Sequence, residues 1–286
     1  HFDQTIGMFG NPKFKVIDAG QLQGSLLVDR TYEGSIWRQQ IVLRQGDRQI
    51  LIRNWLNWQG QWRMVKLAFA VPTDRPRSFH DVPFGWVERP CDGKEVPTQM
   101  WMDVTGPLQG QAGQMVGLAV LDDGKYGCDV RGGTLRLTVL RCPPYAFHDP
   151  HPIGSKSRYD WVDQGYQEFT VALLPHLGDW REAQVVQRAR ALNLPLVSIT
   201  MHAHPGQRPP HDTLMRLEGD DLELTALKPA QDGEGFIVRV ADRYGRGGRG
   251  QLVWQEQAFA MMLQPFAVAT YRLRKAGNGW QLTPCD

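Results

Sequence analysis

Asp122-Asp123-Gly124-Lys125-Tyr126-Gly127 crowds two acids, an amine and a phenol between two apolar runs, "GLAVL" and "CDVRGGTLRLTVLR". A turn needs the glycines but none of the other side chains. Together they offer charge and hydrogen bonds to a polar ligand. The doublet Asp122-Asp123 is not by itself an acid/base pair, because neighbouring strand residues point to opposite faces. The same holds for Asp220-Asp221.

Other residues invite chemistry with less support. His202 and His204 stand two apart, and His148 and His151 form a looser pair in "FHDPHP". Metal sites need three or four ligands with their own supporting partners, and neither pair has a third at a diagnostic spacing. Trp55, Trp58 and Trp62 cluster in "NWLNWQGQW", either as a sugar-stacking platform or as core filling, with core packing expected for at least two. "DRYGRGGRG" has the look of an RNA-binding Arg-Gly segment, but it is a single copy and reads as a flexible loop. There is no G-x-S-x-G elbow and no phosphate-binding P-loop. Cys91, Cys128, Cys142 and Cys285 form no C-x-x-C pair, so reduced, buried thiols are expected.

The elements that must position these residues are mostly strands. "KFKVI", "SIWRQQIVLR", "RMVKLAFAV", "TLRLTVLR" and "YQEFTVALL" are each bounded by turn formers, the pattern of an antiparallel all-β protein. In "TLRLTVLR", Leu135, Leu137 and Val139 share one face. Arg141 falls on that same inward parity and so requires an acid, with Asp129 or Asp81 as the expected partner. One helix is predicted over Asp179–Asn193, with Asp179 as N-cap and Trp180, Ala183, Val185, Val186 and Ala189 as its apolar stripe. The Pro- and His-rich stretch 202–212 reads as a linker, so the chain divides near residue 205 into a large β domain (1–205) and a small one (206–286).

Composition excludes some partners. The 32 Lys and Arg against 30 Asp and Glu leave a formal charge of +2, which gives no electrostatic case for nucleic acid or an anionic membrane. No run approaches the roughly 18 apolar residues of a membrane helix. The chain opens on His1, and "HFDQTIGMFG" reads as a cut inside a longer protein.

An ordered series of motifs carries a resemblance. Asp81-Val82-Pro83-Phe84-Gly85, Glu88-Arg89-Pro90, Glu95-Val96-Pro97 and Trp101 are followed by "LDDGKYG" and "LRLTVLRCPPY", then "NLPL" and "LTALKPAQDGEGFIVRV". The series resembles the C-terminal region of glycoside hydrolase family 38 α-mannosidases, from about residue 15 to the end. The resemblance implies a large antiparallel supersandwich, similar to galactose mutarotase, followed by a small β-sandwich. It implies that the retaining, zinc-dependent chemistry belongs to an N-terminal barrel and helical bundle of the same polypeptide. A retaining mechanism needs two carboxylates about 5 Å apart, and this chain offers no candidate for either. No catalytic residue and no metal ligand is therefore assigned here, and the chain alone is expected to be inactive.

The resemblance also places the Asp122–Gly127 tip near the catalytic domain's cleft. Asp122, Asp123, Lys125 and Tyr126 then become rim residues that face mannose-containing glycans, and Arg141 a structural charge. Three positions depart from the family pattern. Gln167 stands where His is usual, Trp58-Gln59-Gly60-Gln61-Trp62 lacks an acid and a His, and Cys142 replaces a serine. Two other readings compete. One is a free-standing carbohydrate-binding module using Trp161 or Trp55. The other is a mutarotase-like epimerase drawing its acid and base from His148, His176, Glu168 and Glu182.

Overall fold

A computed structural model of the chain describes residues 4–111, 113–145, 159–203, 205–206, 209, 211–219 and 221–285. The described chain is all-β with one α-helix. It divides into two compact units, residues 1–81 with 88–195, and residues 82–87 with 196–286. The sequence places this division near 205. The long strands end before that point, and Val82–Val87 groups with the second unit.

The first strands are β1 (Gly10–Ala19), β2 (Gln23–Tyr32), β3 (Ser35–Arg44), β4 (Ile50–Trp58) and β5 (Arg63–Ala70). Then come β6 (Arg77–Val82), β7 (Gly85–Arg89), β8 (Val96–Pro97), β9 (Trp101–Pro107) and β10 (Met115–Asp122). β11 (Gly127–Arg131), β12 (Thr134–Cys142) and β13 (Gly165–Leu177) complete the large sandwich. One nine-stranded sheet runs β1-β2-β3-β4-β13-β10-β9-β6-β7, and one four-stranded sheet runs β5-β12-β11-β8. Every recorded strand pair in them is antiparallel.

The two sheets share one core. Leu56, Trp58, Met102, Val104, Val120 and Val171 of the large sheet meet Val65, Cys128, Val130, Leu135 and Leu137 of the small one. Alternation explains why these side chains converge, since residues two apart on each strand face the same layer. On the other face of the large sheet lies α1 (Val185–Asn193), which buries Val185, Val186 and Ala189.

The helix is shorter than Asp179–Asn193. Asp179 Oδ1 accepts from the amides of Arg181 and Glu182, at 2.8 and 3.1 Å, and so caps a preceding turn. Gln184, at φ 56, then breaks the spiral before α1 begins. Trp180 is buried ahead of it, 4.8 Å from the Trp101 ring. The predicted apolar stripe is therefore shared between a capped turn and a short helix.

The second unit holds β14 (Met215–Gly219), β15 (Leu222–Pro229), β16 (Phe236–Asp242), β17 (Gly248–Trp254), β18 (Gln257–Leu263), β19 (Val268–Ala276) and β20 (Gly279–Pro284). Sheets β14-β17-β18 and β15-β16-β19-β20 close over Val238, Val240, Leu252, Trp254, Met261 and Leu273. The "DRYGRGGRG" segment is an organised turn, which corrects the flexible-loop reading. Asp242 Oδ1 accepts the amides of Tyr244 and Gly245, at 2.9 and 3.1 Å, and its Oδ2 those of Gly247 and Phe266, both at 2.9 Å. Four amides on one buried carboxylate hold the segment to one conformation.

Candidate functional site

Connections between the two sheets gather at one end of the large sandwich. Among the described residues, β4 hands over to β5 through 59–62, β8 to β9 through 98–100, and β10 to β11 through 123–126. The register fixes this common end. Trp58 pairs with Gly165, Asp122 with Val171, Gly127 with Thr138, and Cys142 with Arg63. Crossings expose irregular backbone on a rigid scaffold, which is where sandwich folds carry function.

The tip is pre-organised by its first acid. Asp122 Oδ1 accepts the amides of Gly124 and Lys125, at 3.1 and 2.6 Å. The Asp122 amide donates to Met100 O at 3.1 Å, and its carbonyl accepts Asn193 Nδ2 at 2.9 Å. Asp122 Oδ2 is buried with no hydrogen-bond partner. Burial therefore pushes the carboxyl up to about 7, against the pull of its two amide donors. Asp123 is exposed and staples the tip to β13, its Oδ1 accepting the Thr170 amide at 2.8 Å.

Lys125 is held rather than free. Its Nζ donates to Gln167 Oε1 at 2.9 Å and lies 4.5 Å above the Phe169 ring. Burial lowers its pKa, and Asp163, Asp122 and Asp123 oppose that shift. The chain of contacts continues outward. Gln167 Nε2 donates to Asp163 O at 2.9 Å, and Asp163 Oδ2 accepts the Arg141 amide at 3.1 Å. Tyr126 is 68% exposed. Its carbonyl, not its ring, is tied down, accepting the Thr98 amide at 3.1 Å. Gly127 has a packing reason, since a Cβ there would stand 2.9 Å from Glu95 Oε1.

Arg141 differs from its expected position. The β12–β5 register shifts between Thr138 and Leu140, so Val139 and Leu140 are both buried, while Arg141 turns outward and Cys142 inward. One inserted residue reverses strand parity from that point on. Both expected partners are occupied. Asp129 takes Lys66 and, at 2.6 Å, Arg136 Nε, while Asp81 Oδ2 accepts the Met100 amide at 3.0 Å.

Among the tryptophans, Trp58 is buried in the core and Trp55 is half-buried, whereas Trp62 is 54% exposed. Trp62 lies edge-on to Trp161, with ring centroids 5.2 Å apart. Gln167 ties Lys125 of the tip to Asp163, two residues beyond Trp161 along the chain. Phe169 under Lys125 had no signal beyond its strand parity.

Among the described residues the histidines form no metal centre. His148, His151 and His204, like Asp220, lie outside the described residues, and His202 is exposed. His80 Nε2 meets Ser78 Oγ at 3.0 Å and its Nδ1 meets Cys128 Sγ at 3.4 Å. Burial drops His80 to about 4. His176 Nε2 lies 2.7 Å from buried Asp103 Oδ2. Burial works against the imidazolium there, but the Asp103 carboxylate outweighs it and raises the His176 pKa. Among the described residues no group of three His, Cys, Asp or Glu could hold a metal ion. Of the epimerase alternative's described residues, His176 is locked onto Asp103, while Glu168 and Glu182 are exposed. Among the described residues, the four cysteines are free thiols, with Cys128 and Cys142 buried.

Comparison with known proteins follows the geometry. The family model "Glycosyl hydrolases family 38 C-terminal domain" matches residues 4–151. Human Alpha-mannosidase 2C1 is 31% identical over 169 residues, 56% of this chain and 14% of that protein. The mouse protein of the same name is 30% identical over 221 residues, 72% of this chain and 19% of its own length. A glycosyl hydrolase family 38 protein from Enterococcus faecalis superposes with a TM-score of 0.76 at 15% identity, covering 91% of this chain and 36% of that one. That likeness shows the fold. The chain spans less than a fifth of these two mannosidases.

Proposed function

Because the chain belongs to the glycoside hydrolase family 38 C-terminal domain family, we propose that it is the non-catalytic C-terminal portion of an α-mannosidase. In this reading it buttresses an N-terminal catalytic barrel and helical bundle, and its Asp122–Gly127 tip completes the rim of the substrate cleft. The zinc and the catalytic carboxylates belong to that N-terminal region. Mannose-containing glycans are the substrate.

The observation that carries the rim assignment is the organisation of the tip. A buried acid can order a turn by itself, as Asp242 does, but a turn has no use for a lysine clamped between Gln167 and Phe169. Such fixed donors are what a hydroxyl-rich ligand needs, because the ordering cost is met before binding. Edge strand β1 supports a covering domain. Phe14 and Val16, 62% and 64% exposed, continue the face of Val28 and Leu26 into solvent.

The test is steady-state kinetics on the intact protein that contains this chain, with an aryl α-mannoside and an α-mannose disaccharide. Lys125→Met with Tyr126→Phe is expected to raise KM for the disaccharide about tenfold, a loss of roughly 1.4 kcal/mol of binding, with folding unchanged. Unaltered KM and kcat for both substrates would remove the tip from the cleft.

A further inference from the structure

Trp62 carries two costs that a turn does not require. It is a non-glycine residue at φ 55, in the left-handed region, and its indole is 54% exposed. Gly60, in the same crossing, is explained by space, since a Cβ there would lie 2.3 Å from the Trp58 ring. No comparable constraint asks for an aromatic at 62. A strained, exposed tryptophan held in place by its surroundings is the kind of outlier that points to function.

The surroundings do hold it. The Trp62 amide donates to Cys142 O at 2.9 Å. Its ring rests edge-on against Trp161, which packs on the sandwich core. Cys142 Sγ donates to Gly60 O at 3.2 Å, and Gln164 Nε2 to the same carbonyl at 3.1 Å. Gln59 Nε2 is turned back on Asn57 at 2.8 Å. The crossing is thus fixed by its neighbours, while the Trp62 indole itself stays exposed.

We propose that Trp62, braced by Trp161, is a glycan-binding subsite that takes one pyranose ring on its indole face. Sugar C–H groups stack on the negative face of an aromatic ring. Gln164, exposed and held through Nε2 by the Gly60 carbonyl of the same crossing, keeps its Oε1 to accept from a ring hydroxyl. The choice of mannose as probe rests on the mannosidase reading, while the stacking site does not. The site differs from the tip residues Lys125 and Tyr126, and Lys125 is bonded instead to Gln167.

The experiment is a titration of the 286-residue chain with methyl α-mannoside and α-mannobiose, followed by tryptophan fluorescence and ligand-observed NMR. The expected result is saturable binding with Kd on the order of millimolar, weakened about tenfold in Trp62→Ala. Trp62→Phe retains most of the affinity. The near-UV circular dichroism of each variant reports that the fold survives. Absence of saturable binding, or equal binding by Trp62→Ala, overturns the subsite. Loss of binding in Lys125→Met alone also overturns it and assigns the sugar to the tip. The rim reading is tested separately, by KM in the intact protein, so the two can fail independently.

Discussion

At Asp122, chemistry and structural role pull against each other. The carboxyl organises the tip through Oδ1 but leaves Oδ2 buried without a partner. The folded-state pKa is raised from 3.8 to about 7. A carboxyl raised in this way destabilises the folded state once it must ionise. The cost is absent below the unfolded pKa, grows as pH rises from about 4 to 7, and is complete above the folded pKa. At about 1.4 kcal/mol per pH unit, that cost amounts to roughly 4 kcal/mol at pH 8 and roughly 1.5 kcal/mol at pH 5.

Asp122→Asn keeps the acceptor oxygen for Gly124 and Lys125 and removes the ionisation. The variant carries its own cost of a buried amide donor, but that cost is the same at both pH values. The difference isolates the carboxylate. The substituted chain should gain about 2.5 kcal/mol more, relative to the parent, at pH 8 than at pH 5. Urea denaturation followed by tryptophan fluorescence reads this, with the transition of the large unit taken separately. An equal effect at the two pH values, or a variant less favoured at pH 8, would refute the buried, partnerless state of Oδ2.

Two further predictions concern buried carboxylates with opposite environments. Asp129 is buried between Lys66 and Arg136, so Asp129→Ala should cost about 3 kcal/mol by leaving two cations facing each other; a urea midpoint at pH 7 close to that of the parent would contradict it. Asp242→Ala removes the acceptor of four amides in the second unit. Hydrogen exchange at Gly245, Gly247 and Phe266 should accelerate by more than about tenfold, and the unit should lose on the order of 3 kcal/mol. Unchanged exchange at those three amides would show that the turn is held by something else.

Much of this fold was legible because period-two alternation survives wherever one face of a strand is buried. "TLRLTVLR" gave Leu135 and Leu137 their correct face. It failed at Arg141 because a bulge at Val139 leaves no signature in residue type, and one extra residue inverts everything after it. The helix was overextended because Asp179 is a capping residue wherever it falls, and the left-handed break at Gln184 leaves no signature in residue type. At the site, the crowded tip was visible as an excess of polar residues over what a turn needs. The partners of Lys125 were not. Gln167 lies 42 residues away along the chain, with Phe169 just beyond it, and both meet the lysine only through the strand order β13-β10. Trp62 was weighed with its neighbours as one cluster, and only the geometry of the crossing separates it from buried Trp58.

The central claim is that this chain completes a mannosidase without performing its chemistry. The direct measurement compares release of nitrophenol from p-nitrophenyl α-mannoside by the isolated 286-residue chain, with and without added zinc, and by the intact protein that contains it. The account predicts no turnover by the isolated chain under either condition and turnover by the intact protein. Zinc-stimulated hydrolysis by the isolated chain, abolished by a chelator, would contradict it.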